Sequence, residues 1–279
     1  MLNKVEAHIE GKHGRPVVYD FRYEEGKEGL PILIFAHGFK GFKDWGPFNL
    51  IADAFALAGY AVLKFNFSHN GGTLEQPIDF PDLEAFANNN FSIEMDDLGV
   101  VIDALCDRKI GLELNLNINK LCLLGHSRGG GIVLLKSKED RRVSKVISWA
   151  GVSTFERWDI DTIESWKRDG YIVIKNGRTK QNMPIYYQLY DNYMANLGRL
   201  DIARACSSLS IPQLIVHGNK DESVDKKEAL SMMRWNPKAK LSLIPEANHT
   251  FGGKHPWDNE FLPDYTIQAI NESIDFLNK

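Results

Sequence analysis

Apolar positions along the chain fall into two rhythms. Nearly continuous apolar runs occur at Leu30-Pro31-Ile32-Leu33-Ile34-Phe35-Ala36, Tyr60 to Phe65, Leu121 to Leu124, Val146 to Ala150, Gln213 to His217 and Leu241 to Ile244. A strand covered on both faces reads this way, because every side chain meets an apolar layer. Between the runs, apolar residues return every three or four positions, as along one side of a helix. Pro47 to Leu57, Ser92 to Leu105, Gly129 to Leu135, Lys226 to Arg234 and Tyr265 to Leu277 are the helical stretches, with Ile93, Leu98, Val101, Ile102 and Leu105 forming one stripe. Ahead of them, Val5 to Ile9 and Val17 to Arg22, parted by Gly11 and Gly14, suit an N-terminal hairpin. Strands alternating with helices predict an α/β fold with a mostly parallel central sheet and helices on both faces.

One long interruption breaks the alternation. Residues 153–208 carry Trp158, Trp166, Tyr171, Tyr186, Tyr187, Tyr190 and Tyr193 but few branched apolar runs. Tyr171 to Thr179 suggests a hairpin turning at Asn176-Gly177, and the segment after Met183 a helix. A crossover this much longer than an ordinary connection is expected to be a cap, with its aromatics walling a pocket. The chain then divides into a first core part (residues 1–152), the cap insertion (153–208) and a second core part (209–279). Ser68 to Asn90, with Gly71-Gly72, Pro77 and Pro81, is expected to be a loop bordering the site.

Composition narrows the function. The chain has 279 residues, 43% of them hydrophobic, enough for one large core. A net charge of −4 with both signs interspersed gives no surface for a polyanion, so nucleic acid is not an expected partner. No apolar run is long enough to cross a bilayer, and Met1 to Glu6 holds no apolar signal region. Cytoplasmic location and no membrane association are the expectations. Cys106, Cys122 and Cys206 are too scattered for a disulfide framework or a zinc pattern, and no His and Asp cluster has metal-ligand spacing.

The candidate chemistry sits where strands end. Open α/β sheets bind ligands beyond the carboxyl ends of their strands, and Gly125-His126-Ser127-Arg128-Gly129 lies between the run ending at Leu124 and a helix. A sharp strand-to-helix turn crowds its flanks, so Gly125 and Gly129 around Ser127 fit a raised nucleophile over a helix N-terminus. A serine hydroxyl needs a base, and the base an orienting acid. Asp221 follows the strand Gln213 to Val216, and His249 follows the strand Leu241 to Ile244. Glu222 is the alternative acid and His255 the alternative base, while His217 suits a structural role on the acid loop. For the oxyanion, the candidate donors are the N–H groups of Arg128 and Phe39, with Lys40 an alternative because the register of the loop His37-Gly38-Phe39-Lys40-Gly41 is open. His37 is expected to brace that loop, and His126 to support the elbow or wall the pocket.

With these residues in place the chain resembles the α/β-hydrolase superfamily. It is similar to the carboxylesterase branch holding feruloyl and cinnamoyl esterases and dienelactone-hydrolase-like proteins. The likeness rests on His37-Gly38-Phe39-Lys40-Gly41, on Phe65-Asn66-Phe67-Ser68-His69-Asn70-Gly71, and on an insertion ahead of the acid-bearing strand. It implies hydrolysis of a small-molecule ester through an acyl-enzyme, with no cofactor. Two departures stand out. Dienelactone hydrolases proper use cysteine where this elbow has Ser127, and many relatives carry Gln or Met at the position of Arg128. The Arg128 charge suits either an acidic substrate or a nearby carboxylate. A peptidase or thioesterase of the same fold would use the same groups, and a non-catalytic binding protein would lack the acid or the base.

Overall fold

The computed structural model describes residues 1–279. Its eight-stranded sheet runs in the order β1 (Leu2–Glu10), β2 (Pro16–Glu24), β4 (Ala61–Phe65), β3 (Leu30–Ala36), β5 (Leu116–His126), β6 (Val143–Trp149), β9 (Gln213–Gly218) and β10 (Lys240–Ile244). β1 pairs antiparallel with β2, and β2 with β4; every other neighbour is parallel. This is the α/β-hydrolase architecture.

Alternation along β3 shows why the central runs are apolar throughout. Ile32, Ile34 and Ala36 enter one core cluster while Leu33 and Phe35 enter the other, as successive side chains of a strand must. Helices α3 (Phe91–Cys106), α4 (Arg128–Glu139), α7 (Ile202–Ser208) and α8 (Lys226–Trp235) cover the first face. Helices α1 (Phe48–Leu57) and α9 (Asp264–Leu277) cover the second. Asn90 caps α3 by accepting from the Ile93 N–H, and Asp225 caps α8 from the Lys227 N–H, satisfying amides that a helix start leaves without partners. At α4 the capping position is Ser127 itself, and its side chain makes no capping bond. Of the first-turn amides there, the Gly130 N–H donates to the Ser127 carbonyl and the Arg128 N–H has no backbone acceptor. No helix is long and apolar enough to cross a membrane.

The interruption folds as a small antiparallel cap. It holds α5 (Ile160–Asp169), β7 (Tyr171–Lys175), β8 (Asn182–Tyr186) and α6 (Gln188–Ala195) before α7 returns to the main core. The hairpin is wider than a two-residue Asn-Gly turn. Asn176 Oδ1 instead accepts from the Arg178 and Thr179 N–H groups, and Lys180 takes the positive φ. An asparagine side chain closing on its own loop in this way competes with the tight turn. Met183 lies in β8 and the helix starts only at Gln188, while α5, capped by Asp159 and ended by Gly170 at φ 78°, is an additional element. Within the expected loop Ser68 to Asn90, a short helix α2 spans Leu83–Ala87.

Candidate active site

β5 ends at His126 in the middle of the sheet, and α4 begins at Arg128. Ser127 between them adopts φ 57° and ψ −121°, a conformation that costs a non-glycine residue about 1–3 kcal/mol and persists only when the surroundings enforce it. They do so through the main chain. The Ser127 N–H donates to the Trp149 carbonyl at 2.9 Å, and the Ser127 carbonyl accepts from Gly130 and Val152. A Cβ on Gly125 would lie 2.2 Å from the Gly129 carbonyl oxygen, and one on Gly129 would lie 2.5 Å from those of Ala36 and His37. The flanking glycines are therefore steric requirements of the turn.

The loop after β3 presses on the serine from the other side. A Cβ at Gly38 would stand 2.8 Å from Ser127 Cβ. Neither the Phe39 N–H nor the Arg128 N–H has a backbone acceptor. His37 holds this loop. Its Nε2 accepts from the Phe67 N–H at 3.3 Å, so Nδ1 carries the hydrogen and donates to the Gly38 carbonyl at 2.8 Å. Burial pushes His37 down to about 4, and a neutral ring is what this bonding requires.

The acid and base positions meet at the C-terminal ends of β9 and β10. His249 Nδ1 lies 2.8 Å from Asp221 Oδ2, and Asp221 Oδ1 accepts from the Ser223 and Val224 N–H groups at 2.8 Å each. His217 Nε2 donates to the Val224 carbonyl at 2.9 Å and lies 3.3 Å from Asp221 Oδ2. The Asp221 side chain is fully buried. Burial alone would raise its pKa, but the hydrogen bonds from His217 and His249, with the Val224 amide, hold it below the usual carboxylate range. With Nδ1 directed at a carboxylate, His249 keeps Nε2 as a free acceptor. The backbone of His249 is tied down as well, since His126 Nε2 sits 2.8 Å from its carbonyl. Burial and the neighbouring His249 push His126 down to about 3. A neutral His126 donates that bond and braces the loop.

Ser127 and His249 line one cavity of about 270 Å³, together with Phe39, Phe42, Trp45, Phe48, Phe80, His255 and, from the cap hairpin, Asn176 and Arg178. The Ser127 hydroxyl makes no hydrogen bond to His249 here, a contact that is often long without substrate. The alternatives separate cleanly. His255 has no carboxylate partner; its Nδ1 accepts from the Gly46 N–H, and its ring stacks on Trp45. Glu222 is exposed beside the buried Asp221.

A second cavity, of about 170 Å³, opens on the other side of Phe39 among Phe91, Val152, Phe155, Trp158, Ile174, Ile185 and Leu189. Arg128 faces it. Its guanidinium lies 4.0 Å from the Phe39 ring centre and 5.2 Å from that of Phe91, and Nη1 is 3.3 Å from Glu94 Oε1. Of the two readings of this charge, the structure supplies the carboxylate. No tyrosine lines either cavity. Tyr187, Tyr190 and Tyr193 pack on Trp158 and Trp166 instead. Glu94 was missed in the sequence, although an acid four residues before Leu98 falls on the apolar stripe of α3. The contribution of Asn176 and Arg178 depends on where the hairpin docks and had no local signal.

An open sheet with a serine turned up between β5 and α4 defines an α/β-hydrolase. The model of the prolyl oligopeptidase family matches residues 48–261, and the chain belongs to that family. A curated relative, 2,6-dihydropseudooxynicotine hydrolase of Paenarthrobacter nicotinovorans, is 24% identical over 238 residues, which are 84% of this chain and 55% of the relative. The chain thus spans about half the length of that protein. Among solved structures, Est1E from Butyrivibrio proteoclasticus with ferulic acid bound is similar at TM-score 0.72 and 17% identity, over 98% of this chain and 100% of that one. A dienelactone hydrolase from Anabaena variabilis is similar at TM-score 0.65 and 16% identity, over 99% and 97%. The fold is the one that these proteins share.

Proposed function

We propose that the protein is a serine carboxylesterase that cleaves small or aromatic acyl esters through an acyl-enzyme on Ser127. The observation that carries this reading is the His249 ring, bonded at Nδ1 to buried Asp221 while sharing a cavity with Ser127. His249 Nε2 takes the hydroxyl proton as Ser127 Oγ bonds to the ester carbonyl carbon, and Asp221 offsets the imidazolium charge. The Phe39 and Arg128 N–H groups receive the oxyanion, helped by the positive end of α4. His249 then gives its proton to the departing alkoxide as the carbon–oxygen bond breaks. Water, deprotonated by the same nitrogen, releases the acid.

Residues 153–208 serve as the cap, bringing Arg178 to one cavity and Trp158, Ile174 and Ile185 to the other. The Phe and Trp side chains in both linings and the modest volumes suit small or aromatic groups over long lipids, in keeping with the ferulic acid held by a similar fold. No cofactor takes part in this sequence of steps. Three free cysteines suit a reducing, cytoplasmic setting.

Family membership favours one second reading, hydrolysis of a peptide bond by the same groups. A panel of p-nitrophenyl and hydroxycinnamoyl esters alongside aminoacyl p-nitroanilides separates the two. Turnover of the esters by the wild type, falling to near background in Ser127→Ala, is expected. Equal rates from the two proteins would remove Ser127 from the mechanism, and turnover of the anilides alone would favour the peptidase.

A further inference from the structure

The 270 Å³ cavity has an unusual charge balance. No aspartate or glutamate lines it, yet Lys40 and Arg178 do. The positive charges near Ser127 are otherwise answered: Arg178 pairs with Asp79, and Arg128 with Glu94. Lys40 is the exception. It forms no salt bridge and no side-chain hydrogen bond, and its Nζ lies over the Phe39 ring, 5.7 Å from the centroid. Its backbone, at φ 54°, belongs to the loop that packs on the serine. The side chain is half-buried, and burial lowers its pKa with nothing to offset the loss of water. Its three donors make no hydrogen bond to the protein, beside a cavity walled in part by Phe39, Phe42, Trp45, Phe48 and Phe80.

We propose that Lys40 is a specificity residue whose ammonium binds a carboxylate on the substrate, so that the preferred esters are anionic. The proposal rests on the hydrolytic reading of the site and names its substrate class. The carboxylate can belong to either half of the ester. Near-neighbour positioning fits both, because Lys40 adjoins Phe39, whose N–H is directed to the reacting oxygen in the proposed mechanism.

Two matched pairs test it: phenyl butyrate against para-carboxyphenyl butyrate, and methyl para-methylbenzoate against methyl para-carboxybenzoate. In the wild type, kcat/KM should favour the anionic member of at least one pair, and the favoured pair tells which half of the ester enters the cavity. Lys40→Met should reduce that anionic-to-neutral ratio ~10-fold or more, the usual weight of a hydrogen bond to a charged group, chiefly through KM. Lys40→Arg should retain most of the ratio, which a merely structural role for the side chain would not produce. The same pairs are titrated calorimetrically into Ser127→Ala and into Ser127→Ala with Lys40→Met, where no turnover is needed. If the wild type hydrolyses none of the four, the esterase reading fails, while this binding comparison still decides the role of Lys40. Equal affinity for anionic and neutral members in the Ser127→Ala protein, or a ratio unmoved by Lys40→Met, overturns the proposal.

Discussion

Asp221→Asn is the substitution whose consequence is fixed most tightly by the surroundings. Asp221 Oδ1 accepts two backbone N–H groups at 2.8 Å, so the asparagine must keep its carbonyl oxygen there. Its NH2 then falls in the place of Oδ2, facing His249 Nδ1. Two donors cannot share that contact. The imidazole must move its hydrogen to Nε2, which in the proposed mechanism is the atom that takes the Ser127 proton and then no longer can. The wrong tautomer, together with the lost carboxylate charge, is worth about 10,000-fold in kcat, or about 5.4 kcal/mol of barrier. The assay is the initial rate on p-nitrophenyl butyrate, accompanied by far-ultraviolet circular dichroism and thermal melting to show that the variant is folded. A folded variant that loses less than about tenfold would refute the tautomer reasoning, since a general base must be in its acceptor form.

Two further outcomes follow from buried charge. Glu94→Leu should destabilise the protein by about 3–5 kcal/mol in urea unfolding, because it strands the Arg128 guanidinium, and adding Arg128→Met should recover most of the loss; strictly additive losses would refute the coupling. Asp97 is held at about 7, mainly by burial, with one oxygen accepting the Ser68 N–H at 2.7 Å and the other unpartnered. Between pH ~4, where a free aspartic acid ionises, and pH 7, the folded chain keeps a proton that the unfolded chain has lost, so its stability falls as pH rises through this window. Asp97→Asn should flatten that part of the melting-temperature profile and be the more stable protein at pH 8, and an unchanged slope would show that Asp97 is not the group responsible.

Much of the fold was legible because the central strands are apolar on both faces and the helices on one. The runs at Leu30 to Ala36 and Leu121 to Leu124 lie within β3 and β5, and the stripe from Ile93 to Leu105 lies within α3. The elbow was legible for a steric reason, since only glycine at 125 and 129 leaves room for the neighbouring backbone. Loop-borne residues were harder. Asp221 and His249 could be placed after their strands, but the bond between them depends on β9 and β10 being neighbours in the sheet. The cap was least legible. Its tyrosines read as pocket wall by composition, whereas their packing on Trp158 and Trp166 depends on how α5 and α6 close against each other. The hairpin turn is wider than expected because the side chain of Asn176 competes with the backbone for the same amides.

β10 has a neighbour on one side only, and the loop it carries bears His249. The serine, by contrast, rises from the centre of the sheet. The proposed reaction centre is thus divided between the most sheltered strand and the margin, where local opening is cheapest. On the proposed mechanism, loosening of that margin would stop turnover while leaving nearly all of the molecule in its native state.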